Sequence, residues 1–253
     1  MSRSERGEIE KINFIVAGAQ KCGTTALHYF LEKHPNIALP DKQELHFFDN
    51  EDLFSKKINY NPLHESFEPI GKSIVAGENT PSYIYWKPAI ERIWRYNKEI
   101  KLIILLRNPV LRAFSHWNMQ RERGYEALDF LDAVREENNR LKEALPFQSR
   151  RFSYVDRGFY SEQLERVFKF FPREQVKVIK FEEFRKNQPA VLNSIFIFIG
   201  VKPLGNIRNK ERNPIPYQRE ITGTERRYVY KLFQEDIARL EKLLSWDCSD
   251  WKE

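Results

Sequence analysis

The stretch Lys11-Ile-Asn-Phe-Ile-Val-Ala17, running into Gly18-Ala-Gln-Lys-Cys-Gly-Thr-Thr25, decides the fold. Its first seven residues have the length and apolar content of a buried strand. Beyond the glycine turn, Ala26, Leu27, Phe30, Leu31 and His34 recur at helical spacing, and Pro35 ends that helix. A strand, a glycine-containing turn and a helix start make an anion site. The free backbone N–H groups and the positive end of the helix dipole face the same point. Gly18 and Gly23 allow the turn and a close approach. Lys21 adds charge, and Thr24 and Thr25 add hydroxyl donors.

The same alternation continues along the chain. Ser73 to Gly77 and Gln175 to Lys180 read as strands, and Lys101 to Leu106 as a central parallel strand covered on both faces. Helices are expected from Pro109, with Val110, Phe114 and Trp117 on one face, and around Leu164, Val167, Phe168 and Phe171, stopped by Pro172. A further helix runs from Val191 to Ile199 and ends at Gly200. The last helix carries Val229, Leu232, Phe233, Ile237, Leu240 and Leu244 as one stripe, with Thr222 as its cap. The charged segment from Glu122 to Arg151 reads as a peripheral helix with a mobile connection. The fold class is α/β, a central parallel sheet wrapped by helices. Residues 1–253 read as one domain, with 1–10 as a flexible N-terminus. Ligands in such sheets bind at the carboxyl ends of strands, so the residues after Ala17 and after Leu106 are the places to look.

After Leu106 comes Arg107-Asn-Pro-Val-Leu-Arg-Ala-Phe-Ser115. Arg107 leaves the strand's carboxyl end ready for bidentate phosphate binding. Asn108 caps the helix, and Ser115 lies two helical turns further on the same face. Arg107 and Ser115 can therefore converge on one phosphate. A nucleotide kinase is the rival reading. Its loop ends in Gly-Lys-Ser/Thr, and an acidic residue at the end of a neighbouring strand holds magnesium. Here Lys21 precedes Gly23, and the strand ends in Arg107. An arginine there repels a metal and attracts phosphate, so an anion-rich cofactor handled without a metal is expected.

Composition narrows the classes. With 41% hydrophobic, 31% charged and 14% aromatic residues, the chain is an ordinary globular protein. A net charge of +6 with lysines and arginines spread throughout, and no basic cluster in a known module, argues against a nucleic-acid reader. The longest apolar runs are too short to span a bilayer. Two cysteines, Cys22 and Cys248, exclude a disulfide framework. Cys22, at a helix start beside Lys21, is a candidate for a lowered thiol pKa but not for a nucleophile. The charged first ten residues hold no apolar signal segment, so the expected setting is the reducing cytoplasm.

Lys-x-Gly-Thr-Thr after the first strand and Arg-Asn-Pro-x-x-Arg-Ala-x-Ser after a later one resemble the sulfotransferases that use 3′-phosphoadenosine 5′-phosphosulfate (PAPS). Glu44-Leu-His-Phe-Phe-Asp49, Glu78-Asn-Thr-Pro-Ser-Tyr83 and Arg157-Gly-Phe-Tyr-Ser-Glu-Gln-Leu164 are similar to the heparan sulfate and carbohydrate branch. The resemblance implies the sulfotransferase fold, related to the nucleotide kinases. It also implies PAPS as donor and adenosine 3′,5′-bisphosphate (PAP) as product. It assigns Lys21, Cys22, Gly23, Thr24, Thr25 and Ala26 to the 5′-phosphosulfate, and Arg107 and Ser115 to the 3′-phosphate. Lys210, Arg212 and Asn213 match a basic loop over the nucleotide, although Glu211 and Pro214 depart from the family form.

The resemblance also makes Glu44 the general base. His46 either orients Glu44 or is itself the base, as in small-molecule sulfotransferases, and Lys21 assists the leaving oxygen. Asp49, Asn79 and Tyr83 are the candidate acceptor contacts, with Tyr85 and Trp86 as a stacking wall or as core. The expected acceptor is a hydroxyl or amine of a sugar or glycan. A small-molecule or lipid acceptor, or a PAP-binding module without turnover, is the alternative.

Overall fold

The computed structural model describes residues 6–7, 10–68, 70–71, 74–205, 207, 217 and 219–252. The chain forms two compact units, Met1–Leu105 with Val167–Arg212, and Leu106–Arg166 with Asn213–Glu253.

The first unit is organised by a five-stranded parallel sheet. Its strands are β1 (Phe14–Gly18), β2 (Ile37–Ala38), β3 (Val75–Asn79), β4 (Lys101–Leu106) and β5 (Val176–Lys180), in the order β2-β3-β1-β4-β5. β1 is buried throughout and β4 from its second residue onward, which explains why neither alternates polar with apolar residues. In register, Phe14 pairs with Gly77 of β3 and with Lys101 of β4. The ring of Phe14 occupies the space a Cβ at Gly77 would need. A two-residue antiparallel ribbon, Arg6–Gly7 with Ile70–Gly71, lies outside this sheet. The longer helices of this unit are α1 (Thr24–Glu32), α2 (Ala89–Tyr96), α6 (Phe181–Lys186) and α7 (Gln188–Ile199), and two single-turn helices, Glu51–Phe54 and Asn61–His64, precede β3.

The second unit holds α3 (Pro109–Glu122), α4 (Phe130–Glu143), α5 (Tyr160–Phe168, whose last residues return to the first unit) and α8 (Gly223–Leu244). α3 and α8 pack together. Gly158 sits where a Cβ would strike the ring of Phe233, so the Arg157-Gly-Phe-Tyr motif is pressed against α8. α4 buries Phe130, Ala133, Val134 and Glu137. Glu137 accepts the backbone N–H groups of Val155 and Asp156, which ties the charged segment to the following motif.

The elements expected from sequence are present, with shifted ends. β1 begins at Phe14 rather than Lys11. β3 ends at Asn79 rather than Gly77, so Glu78 and Asn79 belong to the strand. α7 starts at Gln188 because Asn187 caps Ala190 N–H and Pro189 fits the first turn. Gly200 closes it with φ +92°. Along α8, Val229, Phe233, Ile237 and Leu240 are buried while Leu232 is exposed. α2 and α6 are not among the elements expected from sequence: α2 does carry Ala89, Ile90, Ile93 and Tyr96 at helical spacing, a signal that sequence reasoning missed, whereas α6 is short and follows β5 directly.

Thr222 caps α8 in a reciprocal box. Its side chain accepts Glu225 N–H at 3.2 Å, and its own N–H donates to the Glu225 carboxylate at 2.8 Å. Thr222→Ala should lower the unfolding free energy by about 1 kcal/mol. Denaturant midpoints at unchanged slope read that loss, and Thr222→Ser should restore most of it.

Candidate functional site

The turn after β1 has the shape its sequence requires. Ala19 N–H donates to Leu105 O at 2.8 Å, and Cys22 N–H to Ala19 O at 3.1 Å. Lys21 and Gly23 both have positive φ, +68° and +88°. Gly23 is the N-cap residue of α1 and offers no side-chain cap, so the first N–H groups of the helix are left open to an anion. A Cβ at Gly23 would lie 2.6 Å from the Phe181 ring, and one at Gly18 would lie 2.3 Å from Ile84. Only glycine fits both positions. Thr24 is buried, Thr25 is exposed, and Lys21 and Ala26 are half-buried. The Cys22 thiol is fully buried and donates to Gln20 O, so this residue shapes the loop from inside.

The loop carrying Glu44, His46 and Asp49 lies in the same unit. His46 Nε2 is 3.3 Å from Glu44 Oε2, and His46 Nδ1 is 3.0 Å from Asp49 Oδ2. Asp49 is fully buried, whereas the Glu44 and His46 side chains are each 41% exposed. One imidazole thus bridges a buried and a reachable carboxylate. Hydrogen bonds first to Asp49 and then to Glu44 hold its pKa up at about 9, against the opposing effect of burial. At neutral pH His46 is an imidazolium that donates from both nitrogens and has no lone pair for a further proton.

Two aromatic anchors fix this loop. Phe47 and Phe48 are buried, and their N–H groups donate to the Tyr83 hydroxyl at 2.9 and 3.3 Å. Arg92 on α2 donates to Phe48 O at 3.0 Å and grips both carboxylate oxygens of Glu51. Trp86 Nε1 donates to Glu51 at 2.7 Å. Asp49, Tyr83 and Asn79, expected as acceptor contacts, are placed differently. All three are fully buried; Asp49 meets Ser82 and His46, Tyr83 holds the loop backbone, and Asn79 Nδ2 donates to Thr24 O at 3.3 Å. Tyr85 and Trp86 are core residues rather than a stacking wall.

Sequence reasoning missed four contributors: Glu78, Thr80, Ser82 and Arg92. Thr80 Oγ1 donates to Glu78 Oε2 at 2.8 Å and accepts His46 N–H at 3.4 Å. Ser82 Oγ donates to Asp49 Oδ2 at 2.7 Å. Complete burial pushes the Glu78 carboxyl up to about 7, with the hydrogen bond from Thr80 pulling the other way. The available signal was the density of polar side chains in Glu78-Asn-Thr-Pro-Ser-Tyr83 at a strand's carboxyl end.

In the second unit, Asn108 Oδ1 accepts Val110 N–H at 3.0 Å and Leu111 N–H at 3.3 Å, and Asn108 Nδ2 donates to Trp251 O. The Tyr160 hydroxyl donates to Arg107 O at 3.0 Å. Asp236 of α8 accepts the N–H groups of Tyr160 and Ser161 and fixes that tyrosine. Ser115 is buried on α3, and Arg107 is half-buried. Lys210, Arg212 and Asn213 lie outside the described residues.

The His46 pKa has a stability consequence. Its folded value, about 9, exceeds the ordinary 6.5. The stabilisation is therefore complete below about pH 6.5 and is lost as pH rises through about 9. Unfolding free energy followed from about pH 6 to about pH 10 should fall across that window, and His46→Gln should flatten the fall. Added salt should weaken the effect, because both partners on the Glu44 side are half exposed.

Comparison with known proteins agrees with this geometry. The chain matches the sulfotransferase domain family over residues 11–215. It is 25% identical to the membrane-associated sulfotransferase kil1 of Dictyostelium discoideum, covering 93% of this chain and 65% of that protein. It is 28% identical to mouse heparan sulfate glucosamine 3-O-sulfotransferase 5, covering 75% of this chain and 53% of that protein. The chain therefore spans between half and two thirds of the length of these curated relatives. The crystal structure of a sulfotransferase from Alicyclobacillus acidocaldarius superposes with a TM-score of 0.84 at 28% identity, over 97% of this chain and all of that one. Among the described residues no helix is long and apolar enough to cross a membrane. The chain belongs to the sulfotransferase domain family, and its parallel sheet with the open glycine turn after the first strand is the fold of that family.

Proposed function

We propose that the chain transfers a sulfuryl group from PAPS to a hydroxyl or amine, with a carbohydrate as the acceptor. The observation that carries this reading is the Glu44–His46–Asp49 bridge in the same unit as an uncapped glycine turn. The heparan sulfate relative supports the choice of a sugar.

The residues present suit PAPS. The turn carries positive φ at Lys21 and Gly23, and the open N–H groups at the start of α1 suit an anion. Lys21 to Ala26 would hold the 5′-phosphosulfate, and Arg107 and Ser115 the 3′-phosphate. When bound, PAPS supplies the sulfuryl group and leaves as PAP. Lys21 sets a cation against the leaving phosphate oxygen. Glu44, half exposed, takes the proton of the acceptor hydroxyl. His46 is already protonated at neutral pH, so it cannot take that proton; it balances the charges of Glu44 and Asp49 and aims the Glu44 carboxylate.

PAP should bind in the presence of a chelator. At about 100 times Kd it should stabilise the protein by roughly 2.7 kcal/mol, seen as a thermal shift. Arg107→Ala should weaken PAP binding by on the order of 1.5–3 kcal/mol, as for a charge-assisted hydrogen bond, and should leave adenosine 5′-monophosphate binding unchanged. A magnesium-dependent preference for ATP would overturn the sulfotransferase reading in favour of a kinase.

The test of the mechanism is a screen for sulfated products with labelled PAPS against sugars, glycans, phenols and lipids, followed by mutation. Glu44→Gln should lower kcat by about 10²–10⁴ with PAP affinity nearly unchanged. His46→Asn should lower it less. A Glu44→Gln enzyme with near-full kcat would remove Glu44 from the mechanism.

A further inference from the structure

The end of β3 and the turn that follows it are buried, yet their side chains end on the glycine turn and on the loop that carries Glu44. Asn79 reaches Thr24 O at the start of α1. Tyr83 takes two N–H groups of the base loop. Thr80 takes a third, that of His46. Ser82 differs from these because it addresses a side chain. Its hydroxyl donates to Asp49 Oδ2 at 2.7 Å, and the same oxygen lies 3.0 Å from His46 Nδ1.

We propose that Ser82 is a positioning residue for the transfer reaction: through Asp49 it sets the plane of the His46 imidazole and hence the line from Nε2 to Glu44. The inference rests on the reading of Glu44 as the base. Its physical basis is the burial of Asp49. A carboxylate removed from water must be met by donors, and each donor also fixes its rotation about the Cβ–Cγ bond. Ser82 is itself buried, so it cannot touch an acceptor and works only through Asp49. His46 has a further need for restraint. Its φ of +55° is a conformation that non-glycine residues rarely adopt, and such backbone persists only where its surroundings hold it. Thr80 restrains the backbone of His46, and Ser82, one step removed, restrains its ring.

The proton on His46 Nδ1 reports this directly and requires neither PAPS nor an acceptor. With ¹⁵N-labelled histidine, the His46 signals are identified by their loss in His46→Gln. In the wild-type protein the Nδ1 proton should be protected from exchange with water. In Ser82→Ala its exchange should accelerate on the order of tenfold, the scale of one hydrogen bond to a charged group. Ser82→Thr should restore protection. Ser82→Cys, of similar size but a weak donor, should behave like the alanine variant and serves if that variant does not fold. With an acceptor in hand, Ser82→Ala should lower kcat on the order of tenfold while KM for the acceptor and PAP affinity stay unchanged. Unchanged exchange in both Ser82→Ala and Ser82→Cys overturns the proposal, as does faster exchange with unaltered kcat. Faster exchange combined with a fully active Glu44→Gln enzyme would leave the geometry standing and overturn the assignment of the base.

Discussion

Asp49 is a carboxylate out of contact with solvent, and a group of that kind must be surrounded by donors or lose its charge. Much of the first unit is arranged around that requirement. Ser82 and His46 supply donors to it. Because Ser82 belongs to the turn after β3, the loop bearing Glu44 is tied to the sheet. Because Asn79 of the same stretch bonds to Thr24 O, the turn is also tied to the start of α1. Ile84 N–H continues the connection by donating to Ala17 O of β1, and its side chain closes over Gly18. The base loop and the anion turn are therefore held by one short peptide, Glu78 to Ile84. That peptide is rigid because nearly all of it is buried.

The charge states follow from the same burial. His46 sits between two carboxylates and keeps its proton to about pH 9. Glu78, fully buried, is pushed up to about 7 by the loss of solvent. Asp49 disfavours ionisation of Glu78, while the His46 imidazolium favours it. Glu44 is the member of the set that combines partial exposure with an acidic side chain. A carboxylate at the surface of a buried polar cluster can exchange protons with an acceptor and then with water. The buried members hold geometry and charge balance and do not need to exchange.

The second unit applies the same economy to a different end. Asp236 of α8 takes the N–H groups that begin α5, and this fixes Tyr160, whose hydroxyl meets the Arg107 carbonyl. Asn108 both caps α3 and reaches Trp251 near the C-terminus. Arg107 thus leaves its strand from a backbone held at two consecutive residues. Gly158 has no side chain because Phe233 occupies that space. The Arg157-Gly-Phe-Tyr motif is in this sense a packing motif, and through Tyr160 it supports the backbone of Arg107.

Local pattern was enough for the buried strands as apolar runs, the glycine turn, and the caps of α3 and α8, because each of these features is written in residues close in sequence. Periodicity marks which face is buried, glycine marks where a Cβ has no room, and a cap lies within three residues of the N–H it serves. The Glu44-Leu-His-Phe-Phe-Asp49 segment drew attention through its resemblance to the carbohydrate sulfotransferases, not through any local pattern. Tertiary structure alone decided what surrounds it. Ser82 and Asp49 are 33 residues apart, Tyr83 and Phe47 are 36 apart, and Arg92 and Phe48 are 44 apart. Nothing in the spacing of a serine or a tyrosine says that it will face a buried carboxylate or a loop N–H. That depends on β3 lying beside β2, whose chain runs on into the base loop, and beside β1, whose chain runs on into the glycine turn. Tyr83 and Asn79 could be read from sequence as surface contacts to an acceptor, and burial made them internal supports.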